Sequence, residues 1–300
     1  MLGITSISSS YGKMWSVEDP VPTIHHDVYQ AIDPRTTLKG TARGKIILIT
    51  GGAQGIGKAV AFAFAHAGAK ALSLASRKIL AVSQDLEREL KQINSDIEVL
   101  FTQTDVTSET DVEKLFQVTK EKLGGGVDVL VNNAAMLETF RPVGQSTVDE
   151  WWKCYEINVK GTWLMTREFL KQSNGWGTII NTSSIGSLKT IPGCSGYQSG
   201  KTAINRFTDF VYEEYNDKGV RVFAYHPGGI KTELAMHMPE DSHHILIDTP
   251  ELAGGFCVYL ASPKADFLNG RYISANWDVN ELEAMRDEIL TKNKFKMILS

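Results

Sequence analysis

The chain is predicted to form a doubly wound α/β fold, in which a seven-stranded parallel sheet carries helices on both faces. From Lys45 onward, short apolar runs alternate with amphipathic stretches, as they do in successive βαβ units. The runs are apolar at consecutive positions, which is typical of strands covered on both faces. No internal repeat or low-complexity tract favours a different architecture.

Composition restricts the class of partner. The 300 residues are 42% hydrophobic, which is enough for a sizeable buried core. The formal net charge is −4, with charges of both signs along the chain. This balance gives no electrostatic support to nucleic-acid or anionic-membrane binding. We therefore expect a small-molecule partner.

The cysteines and the chain start indicate the compartment. Cys154, Cys194 and Cys257 are far apart and lack metal-ligand spacing. The first residues show no basic region followed by a continuous apolar run, and no stretch approaches 18 uninterrupted apolar residues. We expect a cytoplasmic protein without a signal peptide or a transmembrane helix.

The first 43 residues differ from the rest of the chain. They carry Pro20, Pro22 and Pro34 and few periodic apolar positions, so we expect an N-terminal extension over residues 1–43 that is ordered only where it packs. Residues 44–300 are predicted to form a single domain.

Strands and helices alternate through this domain. Apolar positions three or four apart predict helices over 79–93, from about 148 to 172, and after Tyr197. The strand candidates between such helices are KIILIT, KALSLAS, DIEVLFTQT, VDVLVNN, GTIINTS, GVRVFAYHP and RYISA.

The C-terminal tail, residues 276–300, contains one further amphipathic stretch. Leu282, Met285 and Ile289 fall on one side of a predicted helix. We expect this stripe to pack on the domain or on a neighbouring subunit. A flap over the functional site is the alternative.

The first strand runs directly into a glycine-rich turn and then into a helix. Gly51, Gly55 and Gly57 lie in the segment GGAQGIG. A parallel strand that ends in such a turn brings the N–H groups of the next helix to the carboxyl edge of the sheet, where a pyrophosphate can bind. A tight turn without a ligand is the alternative.

Tyr197 and Lys201 lie four residues apart on a predicted helix, so their side chains share one face. A phenol has a pKa of about 10, and lowering it by ~3 units for proton transfer at neutral pH requires ~4 kcal/mol of phenolate stabilisation. A lysine one turn away can supply positive charge. The spacing alone also fits two neighbouring residues with no shared function. The motifs in the rest of the chain therefore decide whether the pair is catalytic.

That context resembles the short-chain dehydrogenase/reductase family over roughly residues 44–275. The resemblance extends more weakly to fungal secondary-metabolite enzymes through the segments HHDVYQAIDP and GRYISANWDV. The family motifs occur in the expected order: Thr50, Gly51, Gly55, Gly57, the NNAA segment at 132–135, Asn158, Ser184, Tyr197, Lys201, Pro227, Gly228 and Thr232.

This resemblance implies a Rossmann-like fold and a nicotinamide-dependent oxidoreductase that interconverts a ketone or aldehyde and an alcohol. The resemblance implies that Tyr197 is the general acid or base and that Lys201 also holds the nicotinamide ribose. Ser184, 13 residues before Tyr197, polarises the substrate oxygen. Asn158 holds a water that links Lys201 to solvent. The substrate lid lies at about 233–250.

Two other serines compete with Ser184 for this role. Ser183 is expected on the opposite side of its strand, because side chains alternate, and a local hydrogen bond accounts for it. Ser187 is the second rival. Ser184 begins the loop over the site, so we favour it.

The resemblance also implies the cofactor contacts, which follow the successive strands. Asp105 is expected at the adenine and Asn132 near the ribose. The complete set is Thr50, Gly51, Gln54, Gly55, Ile56, Gly57, Ser76, Arg77, Asp105, Val106, Asn132, Ala134, Tyr197, Lys201, Pro227, Gly228, Ile230 and Thr232.

The second strand ends in SLASRK, where an NAD enzyme usually has an acidic residue. Arg77 can meet a 2′-phosphate with charge-assisted hydrogen bonds, which favour NADP(H) over NAD(H) roughly 10- to 100-fold. A solvated Arg77 is the alternative, and Gln54 is neutral where some NADP enzymes carry a base. We therefore expect NADP(H), with NAD(H) as the less favoured cofactor.

Several features fall outside the family pattern or leave alternatives. Trp277 and Asp278 stand where the family commonly has a glycine pair, which affects closure of the site and subunit contacts.

The pairs at 25–26 and 243–244 are adjacent histidines without matching ligands, so no metal is expected.

The alternatives in function are an NAD-dependent alcohol dehydrogenase, a non-catalytic NADP(H)-sensing module and another enzyme on the same fold. The resemblance implies a homodimer or homotetramer. The substrate itself does not follow from the motifs.

Overall fold

The computed structural model describes residues 19–173 and 175–297. Within them, seven parallel strands form one sheet in the order β3-β2-β1-β4-β5-β6-β7. The predicted fold class is confirmed. The strands, β1 to β7, are Ile46–Thr50, Ala71–Ser76, Glu98–Gln103, Val129–Asn132, Gly177–Thr182, Val220–His226 and Arg271–Ser274.

Helices cover both faces of this sheet. Strand β1 is buried at every position because its side chains alternate between two cores. Ile47 and Ile49 face one core, and Leu48 faces the other. The α-helices, α1 to α9, are Gly55–His66, Ser83–Ile93, Glu109–Leu123, Val148–Tyr155, Thr162–Gln172, Ser195–Tyr215, Pro250–Ala261, Val279–Ala284 and Arg286–Thr291.

The helix predicted over 148–172 is interrupted. A π-helical segment, Glu156–Gly161, separates α4 from α5. The hydroxyl of Thr162, the first residue of α5, donates to the backbone carbonyl of Asn158 in this segment at 2.8 Å. Widened turns of this kind often occur at functional sites.

The tail forms two short helices, α8 and α9, rather than one, with Met285 between them. Leu282 and Ile289 are fully buried, so the predicted apolar stripe packs on this domain. Among the described residues, no helix combines the length and the apolarity needed to cross a bilayer.

The described part of the N-terminal extension packs on the same domain. Val21, Ile32 and Leu38 are buried in the core that contains α1 and α7, and a short 3-10 helix spans Gln30–Ile32. Residues 1–18 of the extension and 298–300 of the tail lie outside the described residues.

Strands β1 and β4 are neighbours, although the chain forms β2 and β3 between them. The chain therefore reverses its direction of winding at this pair. In open α/β sheets, ligands bind at such a switch point, outside the carboxyl ends of the strands. The glycine-rich turn follows β1 at this edge.

Candidate active site

The glycine-rich turn has no room for side chains at two of its positions. A Cβ on Gly57 would lie 2.2 Å from the carbonyl oxygen of Gly51, and a Cβ on Gly51 would lie 2.9 Å from Nδ2 of Asn133. Gly51 also has a φ of +67°, which favours glycine. The turn thus brings the start of α1 close to the end of β1, as a phosphate cradle requires.

Thr50, at the end of β1, ties this turn to β4. Its hydroxyl accepts hydrogen bonds from the backbone N–H groups of Asn133 and Ala134, each at 3.0 Å. The carbonyl oxygen of Thr50 accepts a bond from the Asn133 side chain at 3.1 Å. The carboxyl ends of the two strands are therefore held together at the switch point.

The two adjacent asparagines of this region have side chains in different environments. Asn132 is the last residue of β4, and its buried amide donates to Thr166 and Asn181 in the interior. The asparagine side chain at the glycine turn belongs to Asn133. Because neighbouring side chains in a strand point to opposite faces, a shift by one residue exchanges the two environments.

Helix α6 brings Tyr197 and Lys201 together beside β5. The Lys201 Nζ lies 5.5 Å from the centre of the Tyr197 ring and donates to the carbonyl oxygen of Thr182 at 2.6 Å. Ser184 lies two residues beyond the end of β5, and its hydroxyl acts to lower the pKa of Tyr197. Three of the predicted catalytic side chains thus form one cluster at the carboxyl edge of the sheet.

Burial controls the titration of this cluster. It raises the pKa of Tyr197 to about 12, although the hydrogen bond with Ser184 acts in the opposite direction. It lowers the pKa of Lys201 to about 8. The protein's side chains therefore do not produce the low tyrosine pKa expected from the sequence. At neutral pH, they hold a protonated phenol beside an ammonium group.

The two rival serines are engaged elsewhere. The Ser183 hydroxyl donates to Oδ1 of Asn205 at 2.6 Å, and Nδ2 of Asn205 donates to the Ser187 hydroxyl at 2.8 Å. Both serines are buried. The Ser184 hydroxyl accepts from the backbone N–H of Gly186 at 3.1 Å, and both Ser183 and Ser184 line the cavity described below.

Asn158 is buried in the π-helical segment and does not reach the cluster directly. Its Oδ1 accepts from the backbone N–H of Met136 at 2.9 Å, and its Nδ2 donates to the Met136 carbonyl at 2.7 Å. Nδ2 also donates to the sulfur of Cys154 at 3.1 Å. Both amide hydrogens are thus used by the protein, and they fix the orientation of this side chain.

Glu138 is a site residue that the sequence analysis missed. Its carboxylate is 2% exposed and accepts from the backbone N–H groups of Gly196, at 2.6 Å, and Tyr197, at 2.9 Å. Cys154 donates to the same carboxylate. No local motif marks this residue, because the backbone N–H groups that it accepts from lie 58 and 59 positions away.

The end of β2 supplies a polar group and a positive charge. The buried hydroxyl of Ser76 has no hydrogen-bond partner among the described residues, and Arg77 is exposed immediately after the strand. Asp105 follows β3, where burial raises its pKa but hydrogen bonds from Thr107 and the charges of Lys153 and Arg77 lower it overall. Val106 is buried against Gly161.

These features fit a dinucleotide. Gly51 and Gly57 approach so closely that a Cβ on either would collide with neighbouring atoms, which brings the first N–H groups of α1 to the end of β1. The unpartnered hydroxyl of Ser76 and the exposed guanidinium of Arg77 adjoin it at the next strand. A glycine turn at a helix N-terminus, a hydroxyl without a partner and an exposed positive charge thus follow one another along the same edge, where a dinucleotide can bind.

The remaining predicted cofactor residues lie between β6 and the lid segment, residues 233–250. Pro227 and Ile230 are buried, and Gly228 has a φ of +103°. The Thr232 methyl would contact a Cβ on Gly55 at 3.2 Å, and Gln54 donates to Glu233 at 2.6 Å. The lid segment therefore begins directly against the glycine turn.

A cavity of about 610 Å³ opens beside Ser184 and Tyr197. Its apolar lining comes mainly from the loop after β4 and from the lid segment. The apolar residues are Ile24, Ile56, Leu137, Phe140, Ile185, Ile230, Leu234, Ala235, Met238, Ile245, Leu246 and Ile247.

His226, at the end of β6, also lines this cavity and was not predicted from the sequence. Burial lowers its pKa to about 4, so the ring is neutral at neutral pH. Its Nδ1 accepts from the backbone N–H of Ile185 at 3.2 Å, which leaves the proton on Nε2. Its place directly before Pro227 is the signal that could have identified it.

The first histidine pair contacts carboxylates. His25 Nε2 lies 2.8 Å from Oδ2 of Asp278, and His26 Nδ1 lies 2.5 Å from Oδ1 of Asp248. The second pair bonds to nearby backbone carbonyls, His243 to Met238 and His244 to Asp241. Over the described ranges, no cluster of three or more potential ligands is built for a metal ion.

Comparison with known proteins gives a consistent result. A family model described as short chain dehydrogenase matches residues 45–243. The short chain dehydrogenase mpl6 of Monascus purpureus is 41% identical over 279 residues, covering 92% of this chain and 94% of that protein. The short chain dehydrogenase pigC of Monascus ruber is 36% identical over 286 residues, covering 93% of each.

The fold comparison agrees with the sequence comparison. The crystal structure of levodione reductase matches with a TM-score of 0.71 and 28% identity, covering 78% of this chain and 96% of that one. A short-chain dehydrogenase/reductase from Mycobacterium marinum matches with a TM-score of 0.71 and 29% identity, covering 79% and 95%.

Proposed function

The chain belongs to the short-chain dehydrogenase/reductase family and is thus an oxidoreductase acting on CH–OH groups with NAD(P), and from this premise we propose an NADP(H)-dependent carbonyl reductase. It reduces a ketone or aldehyde to the alcohol, or catalyses the reverse. The observation that carries the proposal is the cluster of Ser184, Tyr197 and Lys201 beside an apolar cavity.

The roles of these side chains follow from their protonation. Tyr197 is protonated at neutral pH and donates its proton to the substrate oxygen as that oxygen gains negative charge. Ser184 donates a hydrogen bond to the same oxygen. The charged Lys201 stabilises the phenolate that remains, because an opposite charge nearby favours the ionised form.

When bound, a reduced nicotinamide would supply a hydride for the carbonyl carbon. The chain would hold this cofactor through the start of α1 at Gly55, Ile56 and Gly57 and through Ser76 and Arg77 after β2. Arg77 supports the NADP(H) preference, because no acidic side chain occupies the end of β2 and the guanidinium is exposed there.

The proposed substrate is a small apolar carbonyl compound. The cavity is lined by many aliphatic and aromatic side chains, and its polar residues include Ser184 and Tyr197 of the proposed catalytic cluster. An apolar pocket with a few polar groups at one end fixes orientation through those groups.

The decisive experiment is a fluorescence titration of the purified protein with NADPH and with NADH, followed by a screen of ketones with the preferred cofactor. NADPH binding at least about tenfold tighter than NADH supports the Arg77 assignment. Tighter NADH binding favours an NAD-dependent alcohol dehydrogenase. Cofactor binding without turnover of any ketone favours a sensing module.

A homodimer or homotetramer is also proposed. Helices α5 and α6 expose Trp163 and Phe210, which are 45% and 58% accessible. Between them lies a groove of about 530 Å³ that includes Leu170, Phe207 and Val211. An exposed apolar face of this kind supports self-association. Light scattering of the wild type and of Phe210→Asp tests the proposed self-association. A monomeric wild type would contradict it.

A cytoplasmic location completes the proposal. Cys154, Cys194 and Cys257 are buried and unpaired, which is typical of a reducing compartment. Imaging of a fluorescent fusion checks it.

A further inference from the structure

The substrate cavity has a wall that the family match does not include. Asp19, Ile24 and His26 line it, whereas the family model begins at residue 45 and ends at 243. These residues belong to a segment that we call the strap, residues 19–29. The strap lines the cavity and contacts both the end of the lid segment and the residues after β7.

The strap is attached to the residues that follow β7. Ile24 and Trp277 form an antiparallel bridge, and the backbone N–H of His25 donates to the carbonyl of Asn276 at 2.7 Å. Trp277 Nε1 donates to Asp19 at 2.8 Å, and Asp278 contacts His25 at 2.8 Å. Trp277 and Asp278, the departure from the family's glycine pair, therefore form the strap's attachment site.

The opposite edge of the strap is attached to the end of the lid segment. The carboxylate of Asp248 is 6% exposed, contacts His26 through Oδ1 and accepts from the backbone N–H of Gly229 through Oδ2. The backbone N–H of Thr249 donates to the His26 carbonyl at 2.9 Å, and its hydroxyl donates to Asp27 at 2.6 Å. One carboxylate thus joins the strap, the loop after β6 and the lid segment.

These attachments determine what the strap presents to a ligand. The carboxylate of Asp19 is bound by Trp277, and Nδ1 of His26 is bound by Asp248. Ile24, by contrast, is a partly buried aliphatic side chain at the cavity wall. Ile24 is therefore the apolar side chain that the strap contributes to the cavity wall, and polar contacts on both sides hold it in place.

We propose that the strap is a fixed specificity wall, with Ile24 as the residue that limits the length of the apolar part of the substrate. This inference rests on the proposed function, because it treats the cavity as the substrate site. Its substrate class is a carbonyl compound whose apolar chain points away from Tyr197 and ends against Ile24. His26 is a positioning residue that holds the wall to the lid segment.

Straight-chain methyl ketones from 2-butanone to 2-decanone measure this limit. In Ile24→Ala, kcat/KM for the longest ketones should rise at least about tenfold relative to the shortest, the size of effect that one methylene has in an apolar pocket. In Ile24→Phe, the ratio of kcat/KM for the longest ketones to kcat/KM for the shortest should fall by a similar factor. Equal ratios in the wild type and both variants would overturn the proposal.

Val28 provides the matched control. It is also a partly buried, β-branched residue of the strap, but it packs against Gly255 and does not line the cavity. Val28→Ala should keep the wild-type ratio. A ratio that changes in Val28→Ala as much as in Ile24→Ala would show a general loosening and overturn the role of Ile24.

The two proposals fail in different ways. NADPH affinity should be unchanged in every strap variant. If the wild type binds NADPH and reduces no ketone, the reductase proposal fails, and saturation-transfer NMR of the same ketones then decides the strap proposal. A length preference in binding that shifts in Ile24→Ala supports it. An unshifted preference, or no binding of any ketone, overturns it.

Discussion

The carboxylate of Glu138 accepts a hydrogen bond from the backbone N–H of Tyr197 at 2.9 Å. Tyr197 lies in the first turn of α6, where backbone N–H groups have no partner within the helix. A buried acid from the loop after β4 therefore caps the helix that carries the proposed acid–base residue. The dipole of the helix also favours negative charge at this end.

We expect Glu138→Ala to lower the free energy of unfolding by about 2–4 kcal/mol, because two buried N–H groups lose a charged acceptor. Glu138→Gln keeps one acceptor oxygen and should cost less. Urea unfolding of both variants measures the difference. Midpoints equal to that of the wild type would show that the cap contributes no stability.

Gly57→Ala should prevent tight cofactor binding. The added Cβ would lie 2.2 Å from the Gly51 carbonyl oxygen, so the strand and α1 must separate, at a cost of about 1–3 kcal/mol. We expect NADPH affinity to fall more than about tenfold by fluorescence titration. Gly126→Ala, which meets no atom within 4 Å, is the control and should bind NADPH normally.

Arg77→Ala should weaken NADPH binding roughly 10- to 100-fold and leave NADH binding unchanged, because only NADPH carries the 2′-phosphate. Lys78→Ala removes a charge from the adjacent exposed position and should have a smaller effect. Isothermal titration with both cofactors tests this. A parallel loss for NADH would indicate a structural effect instead.

The pH dependence of reduction should follow Lys201. Burial lowers its pKa to about 8, so its ammonium is present below pH 8 and is lost as the pH rises above it. Tyr197, with a pKa near 12, stays protonated over this range. We therefore expect kcat/KM for NADPH, which reports the free enzyme, to be flat at low pH and to fall above about pH 8. A profile that stays flat to pH 9.5 would contradict this assignment.

Tyr197→Phe removes the proton donor and keeps the aromatic ring. We expect kcat to fall by roughly 10²- to 10⁴-fold, the usual contribution of general acid–base catalysis. NADPH affinity should remain within about twofold, since the glycine turn is untouched. Full ketone-reducing activity in this variant would refute the proposed mechanism.

The predicted strands, the glycine turn and the shared face of Tyr197 and Lys201 depend on local patterns. Buried parallel strands are apolar at consecutive positions, and residues four apart on a helix are neighbours. The asparagine at the glycine turn shows the limit of such patterns. Choosing between Asn132 and Asn133 requires that the last residue of β4 be known without error, because the two side chains point to opposite faces.

The sequence by itself therefore determined the sheet, its helices and the order of the family motifs, since each rests on periodicity or short spacing. Only the tertiary structure decided that Glu138 caps α6 and that Asp248 joins the strap to the lid segment. Glu138 and Tyr197 are 59 residues apart, and His26 and Asp248 are 222 apart. Such contacts exist only after distant segments pack together, so no local pattern in the chain encodes them.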